Sequence, residues 1–295
     1  MNSGLDLVAL QIFKTVAEEG GITRAAAKLH RVQSNITTRV KQLEERLGTK
    51  LFLRQNRKLV LSPEGKRLLA YAEQLLRLSS EAEAVLRDGT PRGTFRIGTM
   101  ESTAAARLPP ILSRYHKTYP EVRIELVTGT SGALIDKVLN YEIEAAFVAE
   151  PFSAKNLDSQ LAFNEKLVLI APRSFAKIKT PKDINGKTVI AFGAGCTYRR
   201  CLEDWLARSK VVPERVMEFT SYHAIVACVA AGAGIAIVPR SVIRSVSVGN
   251  EVALYPLPAD VTNAKTLLVW RQGYQSPALQ AMKKELKSNP RSNGA

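Results

Sequence analysis

Between Gln33 and Lys41, the residues Gln33, Ser34, Asn35, Thr37, Thr38, Arg39 and Lys41 set side-chain amides and hydroxyls beside cations. Amides and hydroxyls can exchange hydrogen bonds with base-pair edges and cations can hold phosphates, so a helix with this face suits a major groove. Arg24 precedes the segment, and Arg54, Arg57 and Lys58 follow it. From Arg24 to Arg67 twelve Lys and Arg stand against Glu44, Glu45 and Glu64, a local excess of nine positive charges within a chain of net charge +15. An acidic polymer is the natural partner of such a patch, and an ordinary solvated face is the bland alternative.

A second set of chemically suited residues lies at the expected ends of strands. Thr99, Met100, Glu101, Ser102 and Thr103 follow the first; Thr128, Thr130 and Ser131 follow the second; Cys196, Thr197, Tyr198 and Arg199 come later. Ligands of open α/β sheets bind beyond the carboxyl ends of strands, where helix N-termini present free N–H groups. The three hydroxyl clusters suit a carboxylate or similar oxyanion, with Arg199 as a bidentate partner. Glu101 calls for a donor or positive group on the same ligand. Tyr222 and His223 open a further helix and can reach the cleft. The alternatives are that Ser and Thr cap helices and that His223 is structural.

A thiol at a helix start near Arg199 and Arg200 would be lowered in pKa and reactive, which makes Cys196 a candidate redox sensor. Cys201, five residues on, needs local unwinding to bridge to it and has a buried alternative beside Leu202 and Trp205. The three cysteines, Cys196, Cys201 and Cys228, are odd in number and sparse, as in a reducing compartment. His30, His116 and His223 are dispersed and no cysteine pair has zinc spacing, so neither metal nor cofactor is expected.

These groups need elements to hold them. Leu7, Leu10, Phe13, Val16 and Ala17 stripe one helix over Leu5–Glu19, stopped by Gly20 and Gly21. A second helix is expected from Thr23, as N-cap, to His30, with Ala25, Ala26 and Leu29 inward. A third runs to Leu47 with Ile36, Val40, Leu43 and Leu47 inward, and Gly48 closes it. Leu51, Leu53, Leu59 and Leu61 then alternate around Arg54, Gln55, Asn56, Arg57 and Lys58, as in a hairpin with a basic tip.

Three blocks, ITRAAAKLH, VQSNITTRVKQLEERLG and KLFLRQNRKLVLSPEG over Ile22–Gly65, closely resemble the LysR-type transcription regulators. The family usually has Ser where Val32 stands and often Pro where Ser34 stands. Loss of a serine N-cap costs on the order of 1 kcal/mol unless Ser34 or Asn35 caps instead. The resemblance implies an α/β chain: an N-terminal winged helix-turn-helix, a long linker helix, and a two-lobed effector domain like periplasmic binding proteins. It implies double-stranded operator DNA and a small-molecule effector as partners, in a homodimer that assembles to a homotetramer.

From Pro63 a helical pattern runs to about Arg87, with Leu68, Ala72, Leu75, Ser79, Ala82 and Leu86 in heptad steps over roughly 25 residues and about 37 Å. Leu68, Ala72, Leu75, Ala82 and Leu86 are the expected dimer seam. Packing on the chain's own domains, with Leu69 and Leu76 on a second surface, is the alternative. After Gly93, strands and helices alternate in two series, which implies parallel sheets in two lobes. The expected boundaries are 1–62 for the reader, 63–90 for the linker and 91–295 for the effector domain. Lobe I takes about 91–165 and 266–290, and lobe II about 166–265.

The usual enzyme signatures, GxGxxG after a strand, GxxxxGK[ST] and GxSxG, do not occur, so an enzyme is not expected. An export signal is not evident, and the weakly polar stretch Ala224–Pro239 is shorter than the roughly 20 residues of a spanning helix. A cytoplasmic activator or repressor is expected. A thiol-responsive regulator of the same fold and a solute-binding protein are the alternatives, the latter leaving the basic reader unexplained.

Overall fold

The computed structural model describes residues 5–55, 58–86, 89–153, 155–175, 177–246 and 251–288, the side chains at 58 and 84–86 apart. The chain divides into two compact units, Met1–Asp88 and Gly89–Ala295.

The first unit orders α1 (Leu7–Glu19), α2 (Ile22–Lys28), α3 (Gln33–Leu47), β1 (Phe52–Gln55), β2 (Lys58–Leu61) and α4 (Pro63–Leu86). Asp6 starts α1 by accepting from Val8 N at 2.9 Å, and Gly20 ends it at φ 63°, a left-handed conformation that costs glycine little. The core gathers Leu10, Phe13, Val16, Ala25, Ala26, Ile36, Val40 and Leu43. Thr23 does not cap α2: the chain enters the helix through Gly21, without a side-chain cap, and Thr23 is exposed. Leu47 is exposed as well, and the inner face of α3 continues instead through Glu44.

The hairpin pairs Phe52 with Leu61 through Gln55 with Lys58. Leu59 and Leu61 pack against the core as expected, and the departure is confined to β1, where Phe52 takes the inward place expected of Leu53. Leu51 and Phe52 are buried, the latter against Phe13 at 5.4 Å between ring centroids, and Leu53 therefore faces outward.

Ser62 joins the hairpin to α4, its hydroxyl donating to Lys50 O at 2.6 Å and accepting from Gly65 N at 2.8 Å. The predicted seam of α4 is split. Ala72 is fully buried in the unit's own core, and Leu68, Leu69 and Leu76 pack around that core, because α1 lies against α4. Leu75 and Ala82 are exposed, and the side chain of Leu86 lies outside the described residues. The outward apolar row is Tyr71, Leu75 and Leu78.

The second unit orders β3 (Gly93–Thr99), α5 (Glu101–Ala106), α6 (Leu108–Thr118), β4 (Val122–Thr128), α7 (Ser131–Leu139), β5 (Ala145–Ala149) and β6 (Leu157–Pro172). It continues with β7 (Thr188–Phe192), α8 (Thr197–Arg208), β8 (Arg215–Phe219), α9 (Tyr222–Ala230), β9 (Ala236–Pro239) and α10 (Arg240–Ser245). Then come β10 (Val252–Pro256), α11 (Ala259–Thr262), β11 (Asn263–Arg271) and α12 (Pro277–Lys287).

The sheets are mixed rather than purely parallel. β3 is parallel to β4 and β5, and β7 to β8, whereas β6 is antiparallel to β9, β10 and β11. Alternation could not reveal this, because β6 is long enough to serve both lobes: Leu157–Lys166 pairs with β11, and Leu167–Pro172 with β9 and β10. Its first half, with Asp158, Gln160, Asn164 and Glu165, lacks a continuous apolar run.

Two buried clusters flank this crossing strand. One gathers Phe95, Ile97, Tyr115, Phe147, Phe163, Trp270 and Met282; the other includes Leu134, Leu169, Ile190, Leu202, Trp205, Ile225 and Ile237. Among the described residues no helix is long and apolar enough to cross a membrane.

Candidate functional site

In the first unit, Gln33, Ser34, Asn35, Thr37, Thr38, Arg39 and Lys41 are all exposed on α3, while Ile36 and Val40 bury the opposite side. Val32 occupies the N-cap without a side-chain cap, and neither Ser34 nor Asn35 takes its place. The first N–H groups of a 15-residue helix thus lack a side-chain acceptor, and such a terminus favours anions.

Several of these side chains have local partners. The Thr37 hydroxyl donates to Gln33 O at 2.9 Å, Arg39 lies 4.0 Å from Asp6, and Lys41 lies 3.6 Å from Glu45. Arg24 donates through Nε to Glu19 O at 2.5 Å, holding the end of α1. Arg54 is exposed on β1. Arg57 and the side chain of Lys58 lie outside the described residues.

In the second unit, four helix N-termini meet at a cavity of about 280 Å³, at the carboxyl ends of β3, β4, β7 and β8. Met100, Glu101, Ser102, Thr130, Ser131, Cys196, Thr197, Tyr198 and Tyr222 line it as predicted from sequence, with Thr128, Gly129, Phe192, Gly193 and Thr220. Phe192 and Thr220 were missed although both stand where β7 and β8 end, the same signal that found the others. The Phe192 and Tyr222 rings lie 4.5 Å apart at 48°.

Four predicted residues fall elsewhere. Thr99 and Thr103 are buried outside the cavity lining, and the Thr99 hydroxyl donates to Met100 O at 3.1 Å. His223 is exposed and does not line it. Arg199 also stays outside: its Nε donates to Glu203 at 2.6 Å, and its Nη1 donates to Phe192 O at 3.0 Å and pairs with Glu218. Two carboxylates already satisfy this guanidinium, so it is no free anion clamp.

The cleft is bridged in several places. Glu101 Oε1 accepts from Tyr222 N at 3.2 Å, joining the start of α5 to the start of α9. Thr197 and Ser131 hydroxyls are 3.5 Å apart, and Ser131 Oγ accepts from Ala149 N at 3.0 Å. Arg200 donates to Pro151 O at 2.9 Å. Below them, buried Glu165 on β6 takes Arg107 at 2.6 and 3.1 Å and Ser241 of α10 at 2.8 Å, a brace across the crossing strand. An adjoining hollow of about 340 Å³ shares Ser131, Cys196 and Thr197 with the cavity and adds Arg199, Arg200 and Glu203.

Burial pushes the Glu101 carboxyl up, opposed by the Tyr222 N–H and by the charge of His223. Burial likewise pushes the Cys196 thiol up, outweighing the N–H groups of Arg199 and Tyr198, the Tyr222 hydroxyl and the Arg199 charge. This reverses the lowering expected at a helix start, because the sulfur is enclosed by the core around α8. Cys201 is pushed up by burial too. Cys196 is accordingly expected to react with a thiol-specific disulfide reagent at neutral pH at least about tenfold more slowly than free cysteine, since thiolate supply and access set that rate. Stopped-flow labelling of a Cys201→Ser, Cys228→Ser protein measures this, and labelling as fast as free cysteine refutes it. Among the described residues no group of three His, Cys, Asp or Glu could hold a metal ion.

A winged helical head with an uncapped polar helix, in one chain with a two-lobed domain enclosing a cleft, defines a DNA-binding regulator with an effector-binding domain. The family description "Bacterial regulatory helix-turn-helix protein, lysR family" matches residues 7–66, and "LysR substrate binding domain" matches residues 88–291. The chain belongs to the LysR family of transcriptional regulators.

It is 40% identical to the uncharacterized HTH-type transcriptional regulator YusT of Bacillus subtilis, over 92% of each chain. It is 37% identical to the HTH-type transcriptional regulator GltR of the same organism, over 94% of each. Its fold matches a full-length OxyR variant from Pseudomonas aeruginosa with a TM-score of 0.73 at 21% identity, covering 98% of this chain and 97% of that one. It also matches full-length CbnR in complex with its target DNA, with a TM-score of 0.68 at 22% identity over 96% and 99%.

Proposed function

We propose that the chain is a cytoplasmic, effector-controlled regulator that holds spaced operator half-sites as a dimer assembling to a tetramer. Residues 1–62 read DNA, 63–90 pair subunits, and 91–295 bind the effector between lobes of about 91–165 with 266–290 and about 166–265. The observation that carries this reading is the cavity at four converging helix starts, in a unit where one strand, β6, pairs with β11 through its first half and with β9 through its second. Closing such lobes on a ligand turns them about β6 and β11, and a dimer transmits that turn to the spacing of its reading heads. The N–H-rich starts of α7 and α8 support an oxyanion on the effector in place of Arg199. The outward row of Tyr71, Leu75 and Leu78 supports subunit pairing through α4, with Leu75 and Ala82 kept from the original seam.

The division of labour in the reader is testable. Gln33→Ala or Thr38→Ala is expected to relax base preference by about 1–3 kcal/mol at one position of the site. Arg54→Ala, like Arg57→Ala, is expected to weaken all sequences alike and lower the salt slope by about one unit. Binding titrations against operator and scrambled duplexes at several salt concentrations measure both, and equal losses of selectivity from all these variants refute the assignment. DNase footprints that never change with a ligand bound to the second unit refute the coupling.

A further inference from the structure

The lining of the cleft is short of one partner. Among the described residues Glu101 is its one charged residue, and it lies within a wall of Met100, Phe192, Tyr198, Tyr222 and hydroxyl-bearing residues. Its Oε1 is engaged by Tyr222 N, but its Oε2 is buried with no hydrogen-bond partner. Tyr198, 2% exposed, also lines the cavity, its buried hydroxyl lying beside the hydroxyls of Thr266 and Ser102. Buried polar groups in folded proteins are almost always paired, and a buried carboxylate without a cation or donors is costly. The cation that the sequence offered, Arg199, is spent on Glu203 and Glu218. What is missing must come with the ligand.

We propose that the cleft selects a small amphoteric ligand, one carrying a cationic nitrogen besides an oxyanion, and that Glu101 Oε2 is the group that receives the nitrogen. This rests on the reading of the cleft as the effector site. A protonated amine or guanidinium at Glu101 supplies the absent counter-charge. The oxyanion falls to the starts of α7 and α8, where Ser131 and Thr197 border both the cavity and the adjoining hollow. Phe192 and Tyr222 offer ring surface to the apolar part. At about 280 Å³ the cavity is small beside the roughly 300–1,000 Å³ of drug-sized sites, so the ligand is of simple metabolite size.

Matched probes separate the two functional groups. Norvaline, butylamine and valerate share a side chain and carry both groups, the nitrogen only or the carboxylate only; phenylalanine, phenylethylamine and phenylpropionate do the same with a ring, and arginine, agmatine and guanidinopentanoate with a guanidinium. Calorimetric titration of the full-length protein is expected to show binding of a member that carries both groups in at least one set. Its nitrogen-free counterpart should bind at least tenfold more weakly in the two alkyl and aryl sets, and in the third, where the guanidinium persists, the loss should be smaller. In Glu101→Gln, whose amide oxygen can still accept from Tyr222 N, the preference should collapse toward one. Glu101→Asp keeps the charge and should keep the preference at lower affinity, which holds the test open if Glu101→Gln fails to fold. Carboxylates binding as well as their aminated forms, or a preference surviving in Glu101→Gln, overturns the inference and leaves the cleft as an effector site. If no probe of either kind binds, the effector-site reading falls and this inference with it.

Discussion

Replacing Glu44 with alanine is expected to destabilise the first unit by about 4 kcal/mol, by stripping two buried N–H groups of their shared acceptor. Glu44 Oε1 accepts from Leu51 N at 2.9 Å and Phe52 N at 3.3 Å, and Oε2 accepts from Lys50 Nζ at 2.8 Å. The carboxylate therefore ties α3 to the strand that carries the basic hairpin. Burial alone would push its pKa up, but the contacts from Lys50, Leu51 and Phe52 together hold it below its ordinary 4.5. A carboxyl lowered in the folded state contributes stability that is present above that value and lost as pH falls through the folded value. Glu44→Gln can keep both N–H contacts and lose the charge, so it is expected to be milder than Glu44→Ala and to flatten the decline of stability below about pH 4.5. Both tryptophans, Trp205 and Trp270, belong to the second unit, so their fluorescence should not register either change. Far-ultraviolet circular dichroism should lose an early helical transition by roughly 15 °C or more in Glu44→Ala. An unshifted transition, or an acid limb unchanged in Glu44→Gln, refutes the role.

Glu44 also marks where the sequence stopped being legible. A glutamate one turn after Val40 reads as a solvated charge, because charged residues are seldom buried unless paired. Its partners are backbone N–H groups, which no residue letter announces. Leu53 on β1 faces outward against expectation for a related reason: Leu51, Phe52 and Leu53 are all apolar, so only contact with Phe13 decides which of them turn inward. Local signals served better. Gly20 and Gly48 ended their helices as expected, at φ 63° and 65°. Most of the cleft lining was found from the ends of strands alone, since helix starts after β3, β4 and β7 are short-range features.

The failures in the second unit were long-range. The antiparallel course of β6, and with it the bracing of the lobes through Glu165, depends on pairing with β9, β10 and β11 up to about a hundred residues later. For Arg199, the pairing with Glu203 was within sight at a spacing of four, but that with Glu218 needed β8 brought alongside β7. Together the two carboxylates turned the expected anion clamp into a structural pair, and the ligand preference moved to Glu101.

Gly65→Ala is expected to cost about 3 kcal/mol, the upper end for an overpacked site, although alanine is the better helix former. A Cβ built on Gly65 would lie 2.1 Å from Leu51 O and 3.1 Å from Leu51 C, and 3.0 Å from a Leu61 methyl. The nearest atom is backbone, so no side-chain rotation relieves the overlap. Leu51 O also accepts from Ser62 N at 2.9 Å, and the Ser62 hydroxyl caps α4 through Gly65 N. Shifting Leu51 therefore loosens the cap and the strand together, and it disturbs the N–H group that Glu44 holds. Because the hairpin and α3 share this joint, operator affinity should fall at least tenfold while ligand binding by the second unit is retained. Gly21→Ala is the matched control: its extended backbone suits any residue, and nothing lies within 4 Å of its added Cβ. Gel-shift titration beside calorimetry reads the two functions separately. If Gly65→Ala binds operator as tightly as Gly21→Ala, the close approach of α4 to the hairpin is not what positions the reading face.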